Sequence, residues 1–132
     1  MEIVIKKHYI KESLRIINKY NEIVEKLNEF QTALVDNKQV LVNLQKEIDK
    51  LSYNNAPELQ KRQELSDIMV NYDKEVNKLH SIIIPYLSEM EQIKKESDIL
   101  YKSIKENYPG YEDKVLQEQI FKQIQELERE LK

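Results

Sequence analysis

Apolar residues recur at steps of three and four along two long stretches of this chain, and a short polar interval separates the stretches. In the first, placing Tyr20, Leu27, Leu34, Leu41 and Ile48 at heptad position a puts Ile16, Ile23, Phe30, Asn37, Leu44 and Leu51 at d. In the second, Met69, Val76, Ile83, Met90 and Ile104 take a, with Leu65, Tyr72, Leu79, Tyr86, Ile93 and Leu100 at d and Ser97 as the weak a position. This spacing keeps a and d on one stripe of a helix, so each stretch predicts a long helix with a buried seam. Asn37 is the polar exception in the first seam. It reads either as a register-fixing device or as a partly hydrated amide.

The interval Ser52-Tyr53-Asn54-Asn55-Ala56-Pro57 holds residues that tolerate turn geometry. Asn55 or Ala56 can cap the following helix, with Pro57 in its first turn and Glu58 adding negative charge at the positive helix end. The two stretches therefore predict an antiparallel hairpin. Pairing positions whose numbers sum to 113 sets Leu41 by Tyr72, Leu34 by Leu79, Phe30 by Ile83, Leu27 by Tyr86 and Tyr20 by Ile93. The same register centres the reversal on Ala56 and Pro57.

Pro85 removes a backbone donor and crowds the preceding turn, so the second helix is expected to kink or break locally there. Around it, Ile82, Ile84 and Leu87 cannot all face the partner helix with Ile83, which makes Ile82, Ile84, Pro85 and Leu87 a candidate partner interface. Tyr108-Pro109-Gly110 should end the second helix near Asn107. A third helix over 112–131 carries Leu116, Ile120, Ile124, Leu127 and Leu131 on one face, and the first helix has a matching extra stripe at Ile10, Leu14, Ile17 and Val24. Equating levels sets Ile120 near Leu14 and Leu131 near Val24; pairing of the third helix with its equivalent in another subunit is the alternative. Met1 to Lys7, with Ile3 and Ile5 flanking Val4, reads as a lead-in or a short strand. The expected fold is all-α: one helical domain over 1–132, a long antiparallel hairpin (coiled coil) with a third, shorter C-terminal helix packed at its base. Its segments are a lead-in 1–9, helix 1 over 10–52, helix 2 over 58–107 kinked near Pro85, and helix 3 over 112–131.

Composition supports long helices: one Gly and three Pro in 132 residues leave few turns, and 34% of residues are charged. Zero Cys excludes disulfides, thiolate metal sites and a cysteine nucleophile. A secretory signal and a membrane span are not expected, because no apolar run is long enough. The excess of Lys over Arg, with many Ile, Asn and Tyr, fits a low-GC bacterium or its phage, and so a cytoplasmic location, or the virion or host cytoplasm if viral.

Chemistry is sparse. His8 and His80 lie far apart and lack helical metal-ligand spacing, so no metal and no cofactor are expected. A single Gly cannot build a phosphate-binding loop, and carboxylates such as Glu91 and Asp98 sit four residues before Lys95 and Lys102, as on a solvated helix face. No catalytic residues are expected. The net charge of −3 gives no general attraction to polyanions. A local basic set, Lys6, Lys7, Lys11, Arg15, Lys94, Lys95 and Lys102, is a candidate nucleic-acid surface, but Glu12, Glu91, Glu96 and Asp98 are interleaved with it. The expected function is a non-catalytic coiled-coil interaction or assembly protein that forms a homo-oligomer and/or binds another protein, without a membrane. The alternative is a nucleic-acid-associated regulator or recombination accessory protein using the basic set.

Overall fold

The computed structural model describes residues 3–132, so the first two positions of the expected lead-in, Met1 and Glu2, lie outside the described residues. Three helices follow: α1 (Lys7–Asp49), α2 (Ala56–Asn107) and α3 (Asp113–Glu130). There is no strand among the described residues. The fold is the all-α hairpin of α1 and α2, with α3 packed against α1. α1 starts at Lys7 rather than Ile10, because the Lys6 carbonyl accepts from the N–H groups of Tyr9 (3.0 Å) and Ile10 (3.4 Å). It stops at Asp49 because the next amides tighten onto carbonyls three residues back, Lys50 to Glu47 (3.2 Å) and Leu51 to Ile48 (3.0 Å).

The chain divides into two compact units, one of Met1–Val24 with Ser88–Lys132 and the other of Glu25–Leu87. In the first, Ile3, Ile5, Ile10, Leu14, Ile104, Leu116, Ile124 and Leu127 form one apolar cluster, with Ile104 and Leu116 fully enclosed. α3 enters it through the stripe the sequence marked. Its far end lies elsewhere than equal levels suggested: Glu130 pairs with Lys7 (3.7 Å) and Leu131 is exposed, so the Leu131–Val24 neighbourhood does not form. The reason is the lead-in. Ile3 and Ile5 are buried in the cluster with Ile10 and Leu127, and Val4 between them is 85% exposed, an alternation of period two. The Gln123 side chain supplies what a neighbouring strand would. Its Oε1 accepts from the Ile5 N–H (3.0 Å), and its Nε2 donates to the Ile3 carbonyl (2.5 Å). The Tyr108 hydroxyl accepts from the Lys6 N–H at 2.8 Å.

α2 ends at Asn107, where the sequence placed its stop. Gly110 has φ of +88°, a left-handed conformation that costs a residue with a Cβ about 1–2 kcal/mol, and this reverses the chain into α3. The reversal is fastened by Asp113, in the first turn of α3, which pairs with Lys105 (2.9 Å) and accepts from the Tyr101 hydroxyl (2.9 Å).

In the second unit, Leu27, Ile48, Val76, Leu79 and Ile83 are buried, and the other apolar a and d positions there are at least half-buried. Phe30 stacks on Tyr86 with centroids 5.7 Å apart, one turn along from the Ile83 that equal levels set opposite it. Asn37 is half-buried and donates to the Ala33 carbonyl of its own helix at 2.8 Å. α2 runs unbroken through Pro85. Ser81 and Pro85 both lie on exposed surface, where water can reach the turn that proline leaves without a backbone donor.

Candidate interaction surfaces

The helices of the second unit present two flanks beside the a/d seam, one made of heptad positions e and b and the other of g and c. Ile84 (b, 64% exposed) and Leu87 (e, 48% exposed) are three residues apart and share the first flank. Ile82, at g and half-buried, and Pro85, at c and exposed, share the second. The four residues singled out as one interface are thus divided by the helix into two pairs. Ile84 and Leu87 form the apolar pair that solvent reaches.

Positions e and b have an occupied counterpart in the first unit. There Ile10, Ile17, Tyr101 and Tyr108 stand at e and Leu14 at b, and these pack with Leu116, Ile124 and Leu127 of α3. The flank that α3 covers is apolar on α1, whereas on α2 it sets Tyr101 beside the charged b positions Asp98 and Lys105, the latter paired with Asp113 of α3. Beside it, α1, α2 and α3 leave an open cleft of about 350 Å³, lined by Ile16, Ile17, Leu100 and Phe121, with Ser97 and Asp98 at its polar side.

The seven basic residues singled out as a nucleic-acid surface all lie in the first unit and are exposed. Two of them are held by acids. Arg15 bonds Glu12 (2.5 Å) and Glu96 (3.2 Å), and those hydrogen bonds, Glu12 first, raise its guanidinium above its ordinary value. Lys7 is paired with Glu130. Lys6, Lys11, Lys94, Lys95 and Lys102 make no ion pair among the described residues. His8 and His80 are both exposed, and His8 lies against the Tyr9 ring (4.2 Å between centroids). Among the described residues, no group of three or more His, Asp or Glu is placed to hold a metal ion. No polar or charged side chain among them is buried. No helix among them is long and apolar enough to cross a membrane.

Sequence reasoning missed one constellation, at the reversal between α1 and α2. Arg62 stands at an a position yet carries a charge, and its Nη1 donates to the carbonyls of Ile48 (2.6 Å) and Leu51 (3.2 Å). Its Nη2 donates to the Tyr53 hydroxyl, and the guanidinium carbon lies 3.9 Å from the centroid of the Tyr53 ring. The signal was the register itself, which falls on Arg62 seven residues before Met69. This cluster satisfies the end of α1 and closes the turn, so its groups are already engaged within the chain. Comparison with protein-family models, with curated proteins and with solved structures gives no match to this chain.

Proposed function

We propose that this chain is a non-catalytic interaction component that assembles with copies of itself through the sides of its helical hairpin. The observation that carries the reading is the exposure of Ile84 and Leu87, one turn apart on α2, at 64% and 48%. Fully burying an aliphatic side chain of this kind contributes roughly 1.5–3 kcal/mol. A helix that displays two together gains from a partner what it does not gain from its own seam. Structural or assembly roles use such surfaces.

The alternative, a nucleic-acid-associated regulator or recombination accessory protein, draws on Lys6, Lys11, Lys94, Lys95 and Lys102, whose charges are unmatched by ion pairs among the described residues. The net charge of −3 opposes it. Absolute mass in solution, measured with and without duplex DNA over a range of salt, separates the two. A salt-insensitive oligomer that ignores DNA supports assembly. A DNA-bound species whose affinity falls steeply with salt supports the alternative, and a monomer that ignores DNA overturns both.

A further inference from the structure

Charge is distributed unequally over the two flanks of the second unit. Within α1 and α2 between Glu25 and Leu87, the e and b positions carry only Lys38, Asp49 and Asp73 as charged residues, with His80 beside them. The g and c positions carry eight: Lys26, Glu29, Asp36 and Glu47 on α1, and Lys61, Glu64, Glu75 and Lys78 on α2. Exposed apolar residues show the reverse bias. Val35, Val42, Leu59, Val70, Ile84 and Leu87 are all exposed, and all six stand at e or b. Opposite them, only Ile68 (43%) is a large exposed hydrophobic at g or c. A helix face that stays in water has no reason to shed charge and display Val, Ile and Leu together.

In an antiparallel pair, e of one helix borders e of the other, so the e and b positions of both helices form a single side. The first unit shows what such a side takes when covered: a further helix, α3, seated on Ile10, Leu14 and Ile17 of α1, on Tyr101 of α2 and on Tyr108 just beyond it. Resting on the reading of the chain as self-assembling, we infer that the e/b flank of residues 25–87 is a homodimer interface, occupied by the same flank of a second copy, with the two hairpins running in the same direction.

Three observations select a second copy and this direction. The flank is nearly neutral in itself, so it meets its own image without repulsion. Its central charges are opposite and nearly level in the hairpin register, Lys38 on α1 and Asp73 on α2. A two-fold axis along the hairpin sets α1 of one copy over α2 of the other, which brings Lys38 to Asp73 and Val42 to Val70 twice over. The size is also suitable. The α2 part of the flank, from Ala56 to Leu87, is roughly 48 Å long at 1.5 Å per residue, and the pair of helices is about 20 Å wide. A face of those dimensions is close to the roughly 800 Å² per partner of a stable interface.

The test is the mass of the full chain by sedimentation equilibrium, for the natural sequence, for the double variant Val35→Glu/Val70→Glu, and for Ile68→Glu on the opposite flank. All three positions are exposed, and circular dichroism checks that the helices are retained. The expected result is a dimer for the natural chain and for Ile68→Glu, with the double variant at half that mass. A folded double variant that keeps the dimer mass overturns the inferred flank while self-assembly stands. A natural chain that stays monomeric at every concentration overturns both. Direction is read by disulfide formation, which is unambiguous because the chain has no Cys. Mixed Val42→Cys and Val70→Cys chains should cross-link to each other. Cross-linking of each only to itself overturns the arrangement.

Discussion

The guanidinium of Arg62, in the second turn of α2, donates to the carbonyl of Ile48 on α1 at 2.6 Å. The Ile48 carbonyl, in the last turn of α1, also accepts from the Leu51 N–H (3.0 Å), and the Leu51 carbonyl just beyond the helix accepts from the same guanidinium at 3.2 Å. A single side chain thereby caps one helix from the body of the next. Meanwhile Asn55 accepts from the Glu58 N–H at the start of α2 (3.5 Å), and the Glu58 carboxylate accepts from the Ser52 N–H (2.8 Å). Replacement Arg62→Ala should lower stability by about 1–3 kcal/mol, the range for losing a charged hydrogen-bond partner, measured as a shift in urea midpoint. Arg62→Lys should recover only part of this, since an ammonium cannot serve two carbonyls and lie flat on Tyr53 at once. A midpoint unchanged in Arg62→Ala would show that water caps α1 equally well.

Asn37 makes its hydrogen bond to Ala33, within α1, and none across the seam among the described residues. It occupies a half-buried d position without fixing any partner on α2. Asn37→Leu should therefore raise the melting temperature, with a gain of about 1 kcal/mol from apolar area removed from water. A clear fall would mean that the amide holds the register in a way its hydrogen bonds do not display.

These two residues mark where the sequence can and cannot be read. Leu27, Ile83 and Leu79 were legible because a 3-and-4 spacing has one outcome on a helix, burial of that stripe. The stop at Asn107 was legible because proline and glycine constrain the backbone locally. Arg62 was passed over because a charged residue in a seam is invisible to an apolar template, although its position is the register's own. The lead-in was ambiguous because its hydrogen bonds come from Gln123, 118 residues beyond Ile5, and no local pattern announces so distant a partner. The patch around Pro85 is apolar in a linear view, and its division between flanks follows from the separate heptad positions of Ile82 (g) and Ile84 (b). The same positions reveal Val70 and Leu59, which look unremarkable in a linear reading.

Asp113 ties the first turn of α3 to α2, and its carboxyl is held below the usual carboxylate value by its hydrogen bonds to Lys105 first and Tyr101 second, then by the Lys105 charge. An unfolded aspartate titrates near about 3.9, so this stabilisation is fully present above that pH and is lost as pH falls through the lower folded value. Lys105 behaves in the opposite sense. Its value is raised, chiefly by the same hydrogen bond, so its contribution persists up to the unfolded value and disappears as pH rises through the folded one. Asp113→Asn should melt below the natural chain at neutral pH, and the gap should close at the acid pH where the natural carboxyl, through its lowered value, is protonated too. A gap that persists unchanged at that pH would assign the effect of Asp113 to its place in the helix turn rather than to its charge.

Gln123 decides whether Ile3 and Ile5 stay in the core of the first unit. Burial alone draws both residues inward, but an extended segment against a helix leaves its amides unpaired, and water must otherwise supply the missing bonds. The carboxamide answers both needs at once, accepting from Ile5 and donating to Ile3. Gln123→Ala should free the segment at a cost of about 1–3 kcal/mol for two hydrogen bonds, and Gln123→Glu should be no better, because a carboxylate oxygen then faces the Ile3 carbonyl. Hydrogen exchange separates this local effect from general loss of stability. The Ile5 amide should exchange about ten to a hundred times faster in Gln123→Ala, as a local opening of that size implies, while the amide of the fully enclosed Leu116 stays protected. Equal acceleration at Ile5 and Leu116 would mean that the lead-in and α3 open as one cooperative piece. Unchanged exchange at Ile5 would mean that the two isoleucines hold the segment without Gln123.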